Sequence, residues 1–394
     1  MKDEVSNGIA VVMFSPQFRP LVGGAERQAE KLAVALVRAG CRVTIVTPRI
    51  DDSSPETEDV NGVVIKRFPL HDLSRRYPMR GVALLNIPYI LWQVARAVAP
   101  YLKDANVLHC HLASLQTAGA AIAGRVAGLP VILKAATADQ RSDLGEIEKT
   151  GASGPMMAWF VRALVHTWVA TTIAVEQALI RAGVAAEKIV SIPNGVDITE
   201  SKDAAQPFGR TNRFLYLGRL SKNTQRDLPT LIKAFDRLAR VHPDLQLAIV
   251  GGGDLLGEIR ELAASFASRD RIQLPGFDDP EKWLAWADCF VLPSRREGLS
   301  NALLEAMAVG LPCIANDIPP NREVLADGEA GILVPVENTD LLVSAMQKIV
   351  EEISIAKNFS QQAIKRVEKY YSIDAVATKY IALYRRQTVI ESGL

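Results

Sequence analysis

Two glutamates are the side chains whose spacing points most directly to chemistry. Glu297 lies in the loop after the apolar run Cys289–Leu292, and Glu305 lies in the helical pattern that begins near Asn301. Ser300 or Asn301 can cap this helix, whose amino end suits a diphosphate because it presents unpaired N–H groups and a positive dipole. At 1.5 Å per residue, Glu305 lies roughly 6–8 Å further along, within reach of a ribose, and Glu297 could reach a sugar. On spacing alone, two surface carboxylates are an equally good interpretation.

Positive charges at the end of another apolar run would complete such a site. Arg219 follows Phe214–Leu217, and Lys222 and Arg226 come shortly after it. A bidentate arginine with a second cation is what a leaving diphosphate needs where no metal ion neutralises it. Arg219 is predicted as the first cation, and the sequence leaves open whether Lys222 or Arg226 is the second. A surface arginine at a strand end is the alternative.

Glycines that follow other apolar runs are candidates for phosphate and nucleoside contacts. Gly23 and Gly24 open the first helix, where the backbone of paired glycines can approach an anion closely. The GxGxxG spacing of a dinucleotide site is absent there. Gly252, Gly276 and Phe277 follow two later runs, where simple strand-to-helix turns are the alternative.

Two histidines share one face of a predicted strand. His109 and His111 lie two residues apart, so a metal site is conceivable. No acidic or cysteine partner of suitable spacing lies nearby, and we therefore predict no metal site. A hydrogen-bonded structural histidine is the alternative to a functional one.

The elements that must position these residues alternate between strand and helix patterns. Strands are predicted at Ile9–Phe14, Val43–Val46, Val107–Cys110, Val131–Leu133, Thr171–Val175, Phe214–Leu217, Leu247–Val250, Ile272–Leu274, Cys289–Leu292 and Pro312–Ala315. Helical periodicity separates them, as in Leu228–Arg240 and Asn301–Val309. The alternation predicts an α/β protein whose parallel sheets carry helices on both faces, with ligands at the carboxyl ends of the strands.

The length and the polar segment before residue 214 predict two domains. The 394 residues are too many for one ordinary core. We place the boundary near residue 205, giving domains 1–205 and 206–394. Two such sheets are expected to face a central cleft, and the charged helical segment after about residue 355 is expected to form a tail that crosses the domains.

Composition excludes several classes of protein. Forty-five basic residues against 44 acidic ones leave a net charge of +1, which argues against a nucleic-acid partner. The four cysteines stand singly, so neither a disulfide framework nor a zinc cluster is indicated. The acidic, polar start is unlike a signal peptide, and no apolar run is long enough to span a membrane. A cytoplasmic protein is therefore expected.

The segment around the two glutamates resembles a known family. A glutamate, seven residues and a second glutamate before Ala306-Met307-Ala308-Val309-Gly310-Leu311-Pro312 are similar to the EX7E signature of family 4 glycosyltransferases. Gly23-Gly24-Ala25-Glu26, Gly218-Arg219-Leu220 and Asn321-Arg322-Glu323-Val324 match further family segments in the expected order. The resemblance spans nearly the whole chain, is specific in the second domain, and is looser in residues 50–105 and 135–165. It implies a GT-B architecture of two Rossmann-like domains and retention of anomeric configuration.

The resemblance also assigns roles to residues of this chain. Glu297 would contact the donor sugar and Glu305 the ribose hydroxyls. His111, with His109 as the alternative, would point at the sugar beside the acceptor. The other donor-binding positions implied are Gly23, Gly24, Gly252, Gly276, Phe277, Gly298, Leu299, Ser300, Asn301 and Ala302.

One departure from the family pattern concerns the acceptor side. After Val131–Leu133 many relatives have a His-Asp-type dipeptide, whereas this chain has Lys134. Lys134 could bind an anionic acceptor or a donor phosphate, or merely cap the strand in solvent. The acceptor is therefore less predictable than the donor.

The stretch Arg75–Trp92 is a candidate for peripheral membrane contact. Basic residues Arg75, Arg76 and Arg80 precede an aromatic and aliphatic face that could rest on an anionic membrane surface. A core-packing helix with a solvated amino end is the alternative, and Pro88 is expected to interrupt the helix.

Together these features predict a retaining, metal-independent glycosyltransferase. The donor would be a nucleoside diphosphate sugar, with UDP favoured by the resemblance, and the acceptor a hydroxyl of a saccharide or of a lipid-linked sugar. No cofactor is expected, since the nucleotide sugar is a substrate. The alternatives are an epimerase or phosphorylase of the same fold, or a catalytically silent partner that binds nucleotide sugar.

Overall fold

The predicted alternation of strands and helices is present in the computed structural model. The structure describes residues 8–20, 23–73, 82–135, 143–148, 154–198, 211–222 and 225–391. In chain order the strands are β1 (Ala10–Phe14), β2 (Arg42–Pro48), β3 (Thr57–Val60), β4 (Val63–Phe68), β5 (Val107–His111), β6 (Val131–Ala135), β7 (Thr167–Ala170), β8 (Ile189–Ser191), β9 (Arg213–Leu217), β10 (Gln246–Val250), β11 (Ile272–Gly276), β12 (Cys289–Leu292), β13 (Cys313–Asn316) and β14 (Ile332–Val334).

Helices connect these strands. They are α1 (Gly24–Arg38), α2 (Val82–Leu102), α3 (Leu115–Val126), α4 (Asp143–Glu148), α5 (Gly154–Leu164), α6 (Ile173–Arg181), α7 (Leu228–Ala239), α8 (Leu256–Ala264), α9 (Pro280–Trp286), α10 (Asn301–Ala308), α11 (Pro319–Val324), α12 (Thr339–Glu351), α13 (Ile353–Arg366) and α14 (Ile373–Glu391). None of the helices in the described ranges has the length and hydropathy that crossing a membrane requires.

The strands form two separate sheets. The first has the order β3-β4-β2-β1-β5-β6-β7-β8, and its strands run parallel except for the antiparallel pair β3 and β4. The second has the order β11-β10-β9-β12-β13-β14 and is parallel throughout. Apolar clusters cover both faces of each sheet, which explains why the strands are nearly continuous apolar runs. The α/β fold class is confirmed.

The contacts divide the chain into two compact units. The first contains Met1–Gly195 and Ile373–Leu394, and the second contains Val196–Ser372. The predicted range 206–394 differs from this division because α14 returns to the first unit. There Tyr380 and Tyr384 are buried in the same apolar cluster as residues of α1 and β1.

Two local predictions were wrong. Thr171–Val175 is not a strand: β7 ends at Ala170, and the Thr172 hydroxyl accepts the N–H of Val175 at 3.3 Å as the cap of α6. β-branched threonine fits both roles, so the run looked like a strand. Nor does Pro88 interrupt α2. The helix packs closely on α3, where a Cβ added to Gly119 would lie 2.8 Å from the Leu91 carbonyl oxygen.

Candidate active site

The carboxyl ends of neighbouring strands in the second unit hold most of the predicted site residues. Because β9, β10, β11 and β12 run parallel, their ends lie along one edge of the sheet. The loops there bond to one another. The Gly218 N–H donates to the Val250 carbonyl oxygen at 3.1 Å, and the Gly251 N–H donates to the Gly276 carbonyl oxygen at 2.8 Å. These bonds fix three loops that the sequence placed at ligand-binding positions.

Two of these loops approach so closely that only glycine fits. Gly251 has φ +149°, and a Cβ there would lie 1.9 Å from the Gly218 carbonyl oxygen. Gly253 has φ +150°, and a Cβ there would lie 2.2 Å from the Leu220 carbonyl oxygen. The Leu220 N–H donates to the Gly252 carbonyl oxygen at 3.0 Å. The backbone of residues 251–253 therefore packs directly against the loop that carries Arg219, which only glycine allows.

Glu297 belongs to a partly buried cluster with a cation and a hydroxyl. The guanidinium Nη1 of Arg226 donates to Glu297 Oε1 and to Ser294 Oγ. The Ser294 hydroxyl donates to the same Glu297 oxygen at 3.0 Å. The side chains of Arg226 and Glu297 are 15% and 11% exposed, so water screens this pair little. Burial lowers the pKa of Arg226, but the charge of Glu297, the hydrogen bond to Glu297 and the neighbouring Tyr216 together outweigh this effect, and the pKa is raised overall.

Tyr216 lies below the Arg219 loop and beside this cluster. The strand β9 buries its side chain completely, and a Cβ added to Gly218 would lie 2.7 Å from the phenol oxygen. Burial raises the pKa of Tyr216 to about 12, opposed by the Arg226 charge and assisted by that of Glu297. The phenol is therefore protonated and neutral at physiological pH.

Backbone pairing holds the segment that carries Arg226. The Asp227 N–H donates to the Pro293 carbonyl oxygen at 2.7 Å, and the Arg295 N–H donates to the Gln225 carbonyl oxygen at 3.0 Å. Arg295 Nη2 also lies 3.3 Å from Asp227 Oδ1. The segment therefore follows the loop after β12, which places Arg226 against Glu297.

The two candidates for the second cation have different surroundings. Arg226 is partly buried against Glu297, as described above, whereas Lys222 is exposed and pairs with Glu258 of α8 at 3.0 Å. Arg219 is also exposed and lies in the same loop as Lys222. Arg226 therefore holds Glu297 in place, whereas Arg219 and Lys222 lie at the surface.

Helix α10 begins as the sequence predicts. The Ser300 hydroxyl accepts the N–H of Leu303 at 3.3 Å, so Ser300 is the cap and Asn301 the first helical residue. The apolar face of α10 is buried, while Glu305 is partly exposed. In the loop before the helix, Leu299 and Ser300 are buried. Gly298, Asn301 and Ala302 are partly exposed.

Gly252 and Phe277 lie next to each other at the same sheet edge. A Cβ added to Gly252 would lie 3.5 Å from the Phe277 Cβ. The Phe277 side chain follows Gly276, which has φ +85°, and it is 79% exposed. An exposed aromatic ring beside a glycine loop is suited to stacking on a planar base.

Three predicted residues belong to the first unit. Gly23 occupies the cap position of α1, and Gly24 is the first helical residue. His111 ends β5 and is buried. Burial, with a smaller contribution from the charge of Lys134, lowers its pKa to about 3, so the imidazole is neutral at physiological pH.

His109 has a different environment from His111. Its Nδ1 lies 2.8 Å from the hydroxyl of Tyr384 on α14. The two imidazole rings are 4.5 Å apart between centroids. His109 is thus a hydrogen-bonded residue of the core, which leaves His111 as the histidine at the strand end. Among the described residues, no group of three or more His, Cys, Asp or Glu is arranged to hold a metal ion.

The sequence did not reveal Ser294 or Tyr216 as parts of the site. Both contacts depend on β9 lying next to β12 in the sheet, and residue spacing does not encode that order. The only available signal was that Ser294 stands at the end of a predicted strand.

Two family models match the chain in adjacent segments. One, described as "Glycosyltransferase Family 4", matches residues 22–200, and the other, "Glycosyl transferases group 1", matches residues 197–366. The chain belongs to the family 4 GT-B glycosyltransferases. The predicted family is thereby confirmed.

Relatives of this glycosyltransferase family member differ in how much they share with it. A phosphatidyl-myo-inositol mannosyltransferase of Mycolicibacterium smegmatis is 35% identical over 211 residues, 52% of this chain and 53% of the relative. The match thus spans about half the length of that relative. The uncharacterized glycosyltransferase MJ1607 of Methanocaldococcus jannaschii is 24% identical over 95% of this chain and 97% of its own.

A solved structure shares the fold over almost the whole chain. It is that of Anabaena Alr3699/HepE in complex with UDP and glucose, with a TM-score of 0.74 and 16% identity. The match covers 96% of this chain and 100% of that one. At this identity the likeness shows the fold alone.

Proposed function

We propose that the protein is a retaining glycosyltransferase that uses a nucleoside diphosphate sugar, with UDP as the nucleotide, and a hydroxyl acceptor on a saccharide or a lipid-linked sugar. The observation that carries the proposal is the cluster of Arg226, Ser294 and Glu297 beside the amino end of α10. Such a cluster supplies a fixed carboxylate for sugar hydroxyls next to a site for a diphosphate. Relatives whose names include a mannosyltransferase, and a neighbour crystallised with UDP and glucose, support this.

The donor would lie along the carboxyl edge of the second sheet. The diphosphate would accept hydrogen bonds from the first N–H groups of α10, and Glu305, one helical turn further on, would accept from the ribose hydroxyls. Phe277 would stack on the base. Glu297 Oε1 already accepts from Arg226 and Ser294, so this carboxylate is held in place before a sugar arrives.

The proposed reaction breaks one bond and forms another on the same face of the sugar. The bond from the anomeric carbon to the diphosphate oxygen breaks, and the acceptor oxygen bonds to that carbon from the same side. The acceptor proton passes to the leaving diphosphate. Arg219, a second cation and the α10 amino end would stabilise the charge that develops on the diphosphate.

His111 would contact the sugar next to the acceptor. Its lowered pKa keeps the ring neutral, so it can donate one hydrogen bond without adding a charge that would oppose an oxocarbenium-like transition state. No metal ion is required in this proposal, because cations of the chain neutralise the leaving group.

We also propose that α2 rests on an anionic membrane surface. Trp92 is 53% exposed, the Tyr89 ring stacks on it, and the Arg96 guanidinium lies 5.3 Å from the centre of the Trp92 indole. Leu85 on the same helix is also exposed. Aromatic and basic groups together on one helix suit the interface of an anionic bilayer. Arg75, Arg76 and Arg80 of the predicted stretch lie outside the described residues.

Release of nucleoside diphosphate from a panel of donors tests the proposed reaction. The purified protein would be incubated with UDP-glucose, GDP-mannose and ADP-glucose in EDTA, without acceptor or with octyl glycosides or hexose phosphates as acceptors, and followed by ³¹P NMR. We expect the UDP sugar to yield UDP, with Glu297→Gln inactive and the exposed control Glu261→Gln as active as the unmodified protein. If the folded protein binds a donor yet releases no diphosphate under any condition, it is a silent binding partner and the proposal is wrong.

A further inference from the structure

Lys134 and the two histidines form a row of nitrogen-bearing side chains on one face of the first sheet. Lys134 on β6 is the register partner of His111 on β5. Register partners in a parallel sheet point to the same face, and His109, two residues before His111, shares it. The row ends at the carboxyl edge of the sheet, where ligands bind in open α/β sheets.

The row is buried, and among the described residues no carboxylate offsets its charge. Lys134 is 5% exposed, so it does not cap the strand in solvent. Burial lowers the pKa of Lys134 to about 7. Within the described residues, neither His109 Nε2 nor His111 Nε2 has a hydrogen-bond partner, and both atoms are buried. A buried ammonium and two unsatisfied ring nitrogens are costly unless an oxygen-bearing ligand pairs with them.

The turn after β5 keeps this edge in a strained but fixed conformation. Leu112 has φ +63°, a region that bulky side chains rarely occupy. Its N–H donates to the Lys134 carbonyl oxygen at 3.1 Å, and its own carbonyl oxygen accepts from the Thr117 hydroxyl at 2.7 Å. His111 and Lys134 are therefore tied together through the backbone at the point where a ligand would arrive.

We propose that Lys134, with His111 beside it, binds an oxyanion of the acceptor, so that the acceptor carries a phosphate or a carboxylate group. The inference rests on the proposed function. In that proposal the donor diphosphate has Arg219 and the amino end of α10 in the second unit. Lys134, a buried cation at the carboxyl edge of the first sheet, is then available to the acceptor. A phosphate or carboxylate bound there would hold the acceptor next to His111.

Titration with two simple anions tests this assignment. Orthophosphate and acetate stand for the phosphate and carboxylate classes, and each would be titrated calorimetrically into the full chain at constant ionic strength with UDP saturating. We expect at least one anion to bind, with an affinity at least tenfold weaker in Lys134→Met and largely retained in Lys134→Arg. The exposed control Lys103→Met should match the unmodified protein. The tighter of the two anions identifies the acceptor class.

Two outcomes overturn the inference. One is equal affinity for both anions in Lys134→Met and in the unmodified protein, and the other is a protein that binds UDP but neither anion. Failure to bind UDP contradicts the proposed function instead. In that case the same anion titration without UDP still decides whether Lys134 holds an oxyanion.

Discussion

At the scale of single residues, the proposed chemistry depends most on how Arg226 and Ser294 hold Glu297. Both donate to the same carboxylate oxygen, and the cluster is largely removed from water. A carboxylate fixed in this way loses little freedom when a sugar binds, so its hydrogen bonds to the sugar are more favourable. Lys222, which is exposed and paired with Glu258, has no comparable role.

Removal of Arg226 should therefore cost far more activity than removal of Lys222. In Arg226→Ala the partly buried Glu297 loses its counter-charge, and we expect kcat to fall about 100-fold, since lost charged hydrogen bonds cost about 1.5–3 kcal/mol each. Lys222→Ala should stay within about threefold, because exposed ion pairs contribute little. Steady-state release of nucleoside diphosphate measures both. The opposite ranking would make Lys222 the essential cation.

Lys134 should lower the stability of the protein in a manner that depends on pH. Its pKa is about 7 in the folded state against an ordinary value of 10.5, so the unfolded chain binds more protons between these values. The penalty grows as the pH falls from 10.5 to 7 and is fully present below 7. At about 1.4 kcal/mol per pKa unit, Lys134→Met should be more stable by a few kcal/mol near neutrality.

Urea unfolding at pH 7, 8.5 and 10 measures this effect of Lys134. The gain in Lys134→Met should shrink as the pH rises toward 10.5, and the exposed control Lys103→Met should show no such trend. A gain that is absent, or independent of pH, would show that Lys134 carries its ordinary charge in the folded protein.

At the scale of elements, the glycine run after β10 sets the shape of the donor edge. Gly251 touches the backbone after β9, where no side chain fits, whereas Gly257 in α8 has open space around its Cβ position. We expect Gly251→Ala to lower the free energy of unfolding by about 2–4 kcal/mol, through a clash and a positive φ. Gly257→Ala should raise it by up to about 1 kcal/mol through helix propensity. Thermal unfolding distinguishes the two, and equal midpoints would contradict the close approach.

Helix α2 is the element on which the proposed membrane contact depends. Trp92→Ser should reduce several-fold the fraction of the protein bound to vesicles of phosphatidylcholine and phosphatidylglycerol. The indole of Trp92 is the largest apolar group that α2 exposes among the described residues. Val241→Ser, an exposed apolar position of the second unit, is the matched control. Co-sedimentation measures both. Equal binding of the two variants would remove α2 from the membrane contact.

Nine of the fourteen strands in the described residues were predicted, because most of them are buried apolar runs between glycine or polar turns, and Cys289–Leu292 was predicted with its final bounds. The strands β3, β4, β7, β8 and β14 were not predicted; β3 and β8 are not buried runs. Ser300 was predictable as a cap because it precedes a helical pattern. The strand predicted at Thr171–Val175 was wrong because threonine is common both in strands and at helix caps. The contact of Arg226 with Glu297 joins residues 71 positions apart, and it depends on a sheet order that local spacing does not contain.

At the scale of the whole molecule, the charged residues proposed to bind the donor and the residues on the acceptor side belong to different units. Arg219, Arg226, Glu297 and Glu305 all lie in Val196–Ser372, whereas the histidine and lysine row lies in the unit that α14 completes. Nucleotide recognition is therefore expected to be a property of the second unit. It should not depend on Lys134 or on the membrane contact of α2.

The most direct test of the central claim is a calorimetric titration of the purified chain with UDP, GDP and ADP in EDTA. We expect UDP to bind more tightly than GDP or ADP, and Glu305→Gln to weaken UDP binding about tenfold or more through the lost charged hydrogen bonds to the ribose. The exposed control Glu261→Gln should bind as the unmodified protein does. If none of the three nucleotides binds the folded protein, or if Glu305→Gln binds as tightly as the unmodified chain, the donor site described above is contradicted.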